Sequence, residues 1–345
     1  MNSRERNYDY LRSLSCIAIV LLHVSSSYWS AVDVGSTGFL VMTVYNAATR
    51  FAVPVFMMLS GAFMLEPEKE ISVKGTIKRF SIYSVNFYIW SAFFAFQGLA
   101  IKLITGKGIT EEMWAGSVQR FLWGHYHMWF IFLILGFYLL LPVVRALCEK
   151  KAVIEYYLII WIFAMYVVPI VSAILKIEWL NVWISKLSMN MLVGYLGYFI
   201  LGYYIRKYGF SGKLRMVLYI GGVFSFFYTA AGTILQSRMQ KAYVEDFFSP
   251  GSWNVLLFSI AVFTFFAKRK EIRWGYSLIS KIASCSFIIY MIHPFFLEKL
   301  NLVGITTISF NSLFSVPLLT VVIFICSLGI GIIIKKIPYV NKLLL

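Results

Sequence analysis

Met128-Trp-Phe-Ile-Phe-Leu-Ile-Leu-Gly-Phe-Tyr-Leu-Leu-Leu-Pro-Val-Val-Arg-Ala146 decides the fold class: nineteen residues that carry one charge, Arg145, near the end. A run of about twenty apolar residues matches the thickness of a bilayer's hydrocarbon core. Working outward from it, comparable runs fall near 12–30, 39–65, 80–104, 153–175, 189–205, 216–235, 252–267, 282–298 and 313–334. The expected fold is therefore all-α, a polytopic membrane helix bundle with about ten transmembrane helices. The composition agrees, with 60% hydrophobic, 18% aromatic and 13% charged residues, where soluble domains hold about 25% charged.

The net charge of +16 would suggest nucleic acid in a soluble protein. Here the basic residues lie between apolar runs, where they orient helices, since Lys and Arg accumulate in cytoplasmic loops. No nucleic-acid partner is expected. Alternate connections separate them: twenty-two, including Lys74, Lys78, Arg79, Arg145, Lys150, Lys151, Arg206 and Lys207, fall on one side. Eight fall on the other: Lys102, Lys107, Arg120, Lys176, Lys186, Arg238, Lys241 and Lys299. The expected orientation has both termini in the cytoplasm. No linker or long polar segment interrupts the runs, which predicts one membrane domain over 1–345 without a soluble extracytoplasmic domain. The four cysteines form no CxxC pair, so neither a disulfide framework nor a metal site is expected.

Ionisable residues inside a bilayer are costly and mark function. The acidic residues fall in loops or at span ends, Glu298 among them, leaving no deep carboxylate for an ion relay. The buried set is His23, Arg50 and His293, with His125 and His127 where the fourth span begins. Arg12 and His23 are eleven residues apart, three helical turns, so they share one face about 16 Å apart along the axis. That is roughly the reach of an extended pantetheine arm. Arg12 suits a phosphate, and His23 can serve as general base toward a hydroxyl because imidazole titrates near working pH. Arg50 falls at similar depth on the next span, a short loop away. Against these readings stand plainer ones. His23 can be a packing residue, Arg50 can neutralise groups exposed by a kink at Pro54, and His293 can satisfy the backbone freed by Pro294. His125 reads as an interfacial residue, Asp9 as a cap or a partner of Arg12, and His127 with Trp129 as the outer mouth of a site.

Four stretches taken together resemble the acyltransferase family 3 membrane proteins, bacterial enzymes that O-acylate surface sugars. The first is Arg6-Asn-Tyr-Asp-Tyr-Leu-Arg12, followed ten residues later by His23. The second is Arg50-Phe-Ala-Val-Pro-Val-Phe-Met-Met-Leu-Ser-Gly61. The third is His127-Met-Trp-Phe130 with Leu135-Gly-Phe-Tyr-Leu-Leu-Leu-Pro142, and the fourth is Ser286-Phe-Ile-Ile-Tyr-Met-Ile-His293-Pro294. The resemblance implies cytoplasmic acetyl-CoA or another acyl-CoA as co-substrate with no bound cofactor. It implies His23 as the essential histidine and Arg12 as a donor-binding residue; Asp9 is expected beside Arg12 on the donor side, and Arg50, His127, Trp129 and His293 are expected to line the site. A sugar or cell-surface glycan is the implied acceptor, in the bacterial cytoplasmic membrane, with glycan-synthesis proteins as candidate partners. The Arg-x-x-Arg pair of many members is replaced by Lys74, Lys78 and Arg79, so no nucleotide contact is assigned there. The alternative is a transporter, flippase or polysaccharide-export subunit without acyl chemistry.

Overall fold

The computed structural model describes residues 6–66, 72–177, 179, 182, 186, 194–269 and 274–338. Its elements are α1 (Arg6–Ser26), α2 (Thr37–Thr49), α3 (Ala52–Met64), α4 (Val73–Ile104), α5 (Glu111–Trp123), α6 (Trp129–Leu147), α7 (Lys151–Ile162) and α8 (Val168–Leu175). They continue with α9 (Tyr195–Lys207), α10 (Gly212–Gln240), α11 (Trp253–Ala267), α12 (Tyr276–Leu302) and α13 (Ser312–Lys336). The chain is all-helical, with no strand among the described residues. Nine runs among them are long and apolar enough to cross a membrane. The expected sixth span is represented by α9, thirteen residues or about 20 Å long. Its expected start at 189–193 lies outside the described residues, as do Arg4, Lys69, Lys270, Arg273 and Lys342 of the charged connections.

Two departures from the sequence reading matter for the site. The expected second span is two helices, α2 and α3, meeting at Arg50 and Phe51. Arg50 N–H reaches back only to Ala47 at 3.4 Å, and the regular ladder resumes with Val55 N–H to Phe51 at 2.9 Å; Pro54 lacks the N–H that would bond the Arg50 carbonyl. The stretch between the expected third and fourth spans, 105–127, contains α5. The Thr110 hydroxyl caps the Met113 N–H (3.3 Å) and Glu111 and Glu112 occupy its first turn, both favourable at a helix start. Gly124 ends it at φ +78°.

α1 runs through the middle, against α2, α3, α11, α12 and α13. At one end of the bundle its first turns are tied to the start of α12 and the segment before it. Asn7 Nδ2 donates to the Arg269 carbonyl (2.7 Å), the Tyr276 hydroxyl to Asp9 (2.8 Å) and Ser13 Oγ to the Ile279 carbonyl (3.1 Å). At the other end Arg238 and Tyr243 bond carbonyls of the α1–α2 connection. Beside this centre α3 and α9 meet backbone to backbone. A Cβ on Gly61 would stand 1.7 Å from the Phe199 carbonyl oxygen, and one on Gly202 2.0 Å from that of Met58. Small residues allow such approach where no hydrophobic effect drives helices together in lipid.

Candidate functional site

A cavity of about 290 Å³ lies among α1, α3, α4, α6 and α12. Arg12 and Ser284 line it towards the end where α1 and α12 begin, Phe56 and Ile131 lie along it, and Phe130 and Tyr290 close it deeper in the bundle. Ile19, one turn before His23, also faces it. Arg12 and Ile19 thus put on the cavity wall the face of α1 that His23 continues, with His23 itself one turn beyond the lining. Asp9 is buried beside the Arg12 end, its carboxylate accepting from Tyr276.

Just beyond Tyr290 all four histidines of the chain converge. The His23 ring lies 5.1 Å from that of His293, His293 lies 5.7 Å from His127, and His127 5.1 Å from His125, centre to centre. Tyr126 stands edge-on to His23 at 5.6 Å. The segment carrying residues 125–127 is fastened to α12 in three places. His125 Nε2 is 2.9 Å from Glu298, His127 Nε2 is 3.2 Å from the Met291 carbonyl, and the Tyr290 hydroxyl donates to the His127 carbonyl.

These contacts fix tautomers, because a ring nitrogen facing a carbonyl must carry the proton. His127 is protonated at Nε2, and its Nδ1 faces His125 Nδ1 across 2.9 Å. His293 Nδ1 faces the carbonyls of Tyr290 (2.8 Å) and Ile289 (3.1 Å). Pro294, without an N–H, is what leaves the Tyr290 carbonyl free. The opposite nitrogen of His293, Nε2, is a lone pair without a hydrogen-bond partner among the described residues, in a residue 1% exposed. His23 is half-buried, and its ring makes aromatic contacts but no hydrogen bond among the described residues.

Arg50 sits opposite His23. Ser26 and Asn46 join α1 to α2 through a 2.6 Å hydrogen bond; His23 lies one turn back on α1 and Arg50 one turn on along α2, which places the two at one level of antiparallel neighbours. The guanidinium lies over the Phe248 ring at 4.0 Å and 3.5 Å from the Phe248 carbonyl, while its Nε is buried without a partner among the described residues. The break at Arg50–Phe51 turns this cation inward. Trp129 is placed differently: its ring packs on Tyr195 and Phe130, and it is 42% exposed.

Among the residues expected to line the site, the structure gathers His23, Arg50, His127 and His293, and sets Arg12 at the far end of the cavity. His125, expected at the interface, and Glu298, expected at a span end, belong to the cluster. The only sequence signal for the pair was that Glu298 is the sole carboxylate on α12. Among the described residues no group of three or more His, Cys, Asp or Glu is arranged to hold a metal ion. A family model described as an acyltransferase domain matches residues 5–336. No curated protein and no solved structure matches the chain.

Proposed function

The chain belongs to the acyltransferase-domain family over nearly its whole length, and from that premise we propose that it is an O-acyltransferase moving an acetyl group from cytoplasmic acetyl-CoA to a hydroxyl of a sugar or cell-surface glycan. The observation that supports this most is the cavity running along α1 from Arg12 to the layer beneath His23. Arg12 takes the phosphorylated part of the donor, as a guanidinium suits phosphate. The pantetheine arm lies in the cavity and brings the thioester towards His23. The acceptor hydroxyl reaches the histidine cluster from the opposite end.

His23 acts as general base. As the hydroxyl oxygen forms its bond to the acyl carbon, its proton passes to the imidazole; the C–S bond then breaks, and the departing sulfur takes that proton. Arg50, a permanent cation with an unsatisfied Nε, supplies positive charge for the oxyanion formed in between. The alternation of loop charge supports an orientation with both termini inside, and the membrane in this proposal is the bacterial cytoplasmic one.

Inverted membrane vesicles containing the protein, supplied with acetyl-CoA labelled in the acetyl group, test the reading. Label is expected in a non-CoA product with the wild type and not with His23→Ala. Equal transfer by the variant overturns the mechanism, and substrate movement that needs no acetyl-CoA favours a transporter.

A further inference from the structure

Three of the four histidines show what their nitrogens do, and the fourth does not. His125 and His127 have both nitrogens engaged, by Glu298, each other and the Met291 carbonyl. That is how a structural histidine inside a bundle satisfies itself. His293 is engaged on one side only. Its Nδ1–H fills the carbonyl that Pro294 leaves free, and its Nε2 lone pair is held bare in a fully enclosed position. His23, its neighbour, has neither nitrogen hydrogen-bonded among the described residues. An acceptor without a donor thus stands beside a ring with an N–H to give.

The spacing suits them to each other. The His23 and His293 ring centres are 5.1 Å apart, tilted by 40°. His125 and His127 have the same centre separation, 5.1 Å, and their nitrogens meet at 2.9 Å. A turn of the His23 ring about its Cβ–Cγ bond is the movement needed to make the first pair like the second.

We propose that His293 is the positioning residue of His23: its Nε2 accepts the N–H of His23 and so fixes which nitrogen of His23 offers a lone pair to the acceptor hydroxyl. This rests on His23 acting as the base. A base whose tautomer is unset spends part of its time presenting the wrong nitrogen; an acceptor behind it removes that loss and steadies the imidazolium formed when the hydroxyl proton arrives. In that step the hydroxyl oxygen bonds to the acyl carbon, the proton goes to His23 and on to the departing sulfur, and His293 finishes as it began. Pro294 is the origin of the arrangement, since the carbonyl it frees sets the tautomer of His293, which in turn sets that of His23.

Selective labelling makes this directly readable, because the chain has four histidines. Solid-state NMR of ¹⁵N-histidine protein in lipid bilayers reports the protonation of each ring nitrogen, with single histidine variants assigning the signals. In the wild type His293 is expected as the Nδ1–H form and His23 as a single tautomer. In His293→Leu the His23 signals should divide between two tautomers, and kcat for label transfer should fall about 100-fold with KM for acetyl-CoA unchanged. His293→Gln, whose side-chain oxygen can stand near the Nε2 position, should recover activity to within about tenfold of wild type. Pro294→Ala restores an N–H to the Tyr290 carbonyl, so both His293 and His23 should show mixed tautomers without any change to an imidazole; it also reads the chain of effects should His293→Leu not fold. An unchanged His23 tautomer in His293→Leu, or in Pro294→Ala where that variant alone folds, overturns the proposal. So does a His293→Gln as inactive as the leucine variant. These NMR readings need no acyl transfer. Activity surviving in His23→Ala would instead remove the functional premise, a separate outcome.

Discussion

Two helix seams in this bundle are built on opposite terms. Where α3 meets α9, Gly61 and Gly202 let the backbones touch, and a single Cβ at either would fall within 2.0 Å of a carbonyl oxygen. Where α1 meets α12 and the His125–His127 segment, space is left: a cavity of about 290 Å³ below and a histidine nitrogen above it with no partner. The first seam is filled to the backbone. The second keeps bare polar atoms, each costing about 1–3 kcal/mol when buried unpaired. The contrast sets α3–α9, closed backbone to backbone, against α1–α12, which is tied at its start by Asp9 and Ser13 and leaves a cavity beyond.

The sharpest way to break that contrast is at His23. His23→Ala should lower label transfer by at least about 10³-fold, near 4 kcal/mol of transition-state stabilisation, while its thermal unfolding in detergent stays at the wild-type temperature. A parallel loss of stability would make His23 a packing residue. Next in size is the glycine seam. Gly202→Ala should destabilise the fold by about 3 kcal/mol or more, read as loss of folded protein by size-exclusion chromatography. Transfer per folded molecule should be unchanged; a fall in it would show that the two seams are coupled. At the far end of the cavity, Arg12→Gln should raise KM for acetyl-CoA about tenfold with kcat near wild type, as expected on losing a charge-assisted hydrogen bond. A changed kcat at constant KM would move Arg12 out of donor binding. Lys107→Ala, exposed in the connection before α5, should shift stability by less than about 0.5 kcal/mol and leave transfer untouched, setting the baseline for the other three.

The sequence told more about the second seam than about the first. Arg12 and His23 share a helix face by simple periodicity, and the cavity follows that face. The His293–Pro294 pair already announced a freed carbonyl, and the Nδ1 contact to Tyr290 is its answer. The bare Nε2 was beyond reach, since it depends on what α1 and residues 125–127 place around it. His125 read as interfacial because its partner, Glu298, is 173 positions away; only the packing of Phe94, with its ring 4.3 Å from His125, and of α12 brings the two side chains together. Hydropathy counted Arg50 within one continuous span, as it sees composition and not the ladder interrupted at Pro54. α5 stayed hidden because its thirteen residues are too few to cross a bilayer, although Thr110, Glu111 and Glu112 spelled a helix start. For Gly61 and Gly202 the sequence held no sign of the partner backbone.

The proposed transfer is directional: the donor enters at the Arg12 end and the acyl group leaves at the histidine end. Inverted and right-side-out vesicles prepared from the same cells, each given labelled acetyl-CoA in the surrounding medium, test it directly. Label should enter product in inverted vesicles, where the Arg12 end faces the donor, and stay at the His23→Ala background in right-side-out ones. Equal incorporation from both faces, or incorporation only in right-side-out vesicles, would rule out donor entry at the Arg12 end.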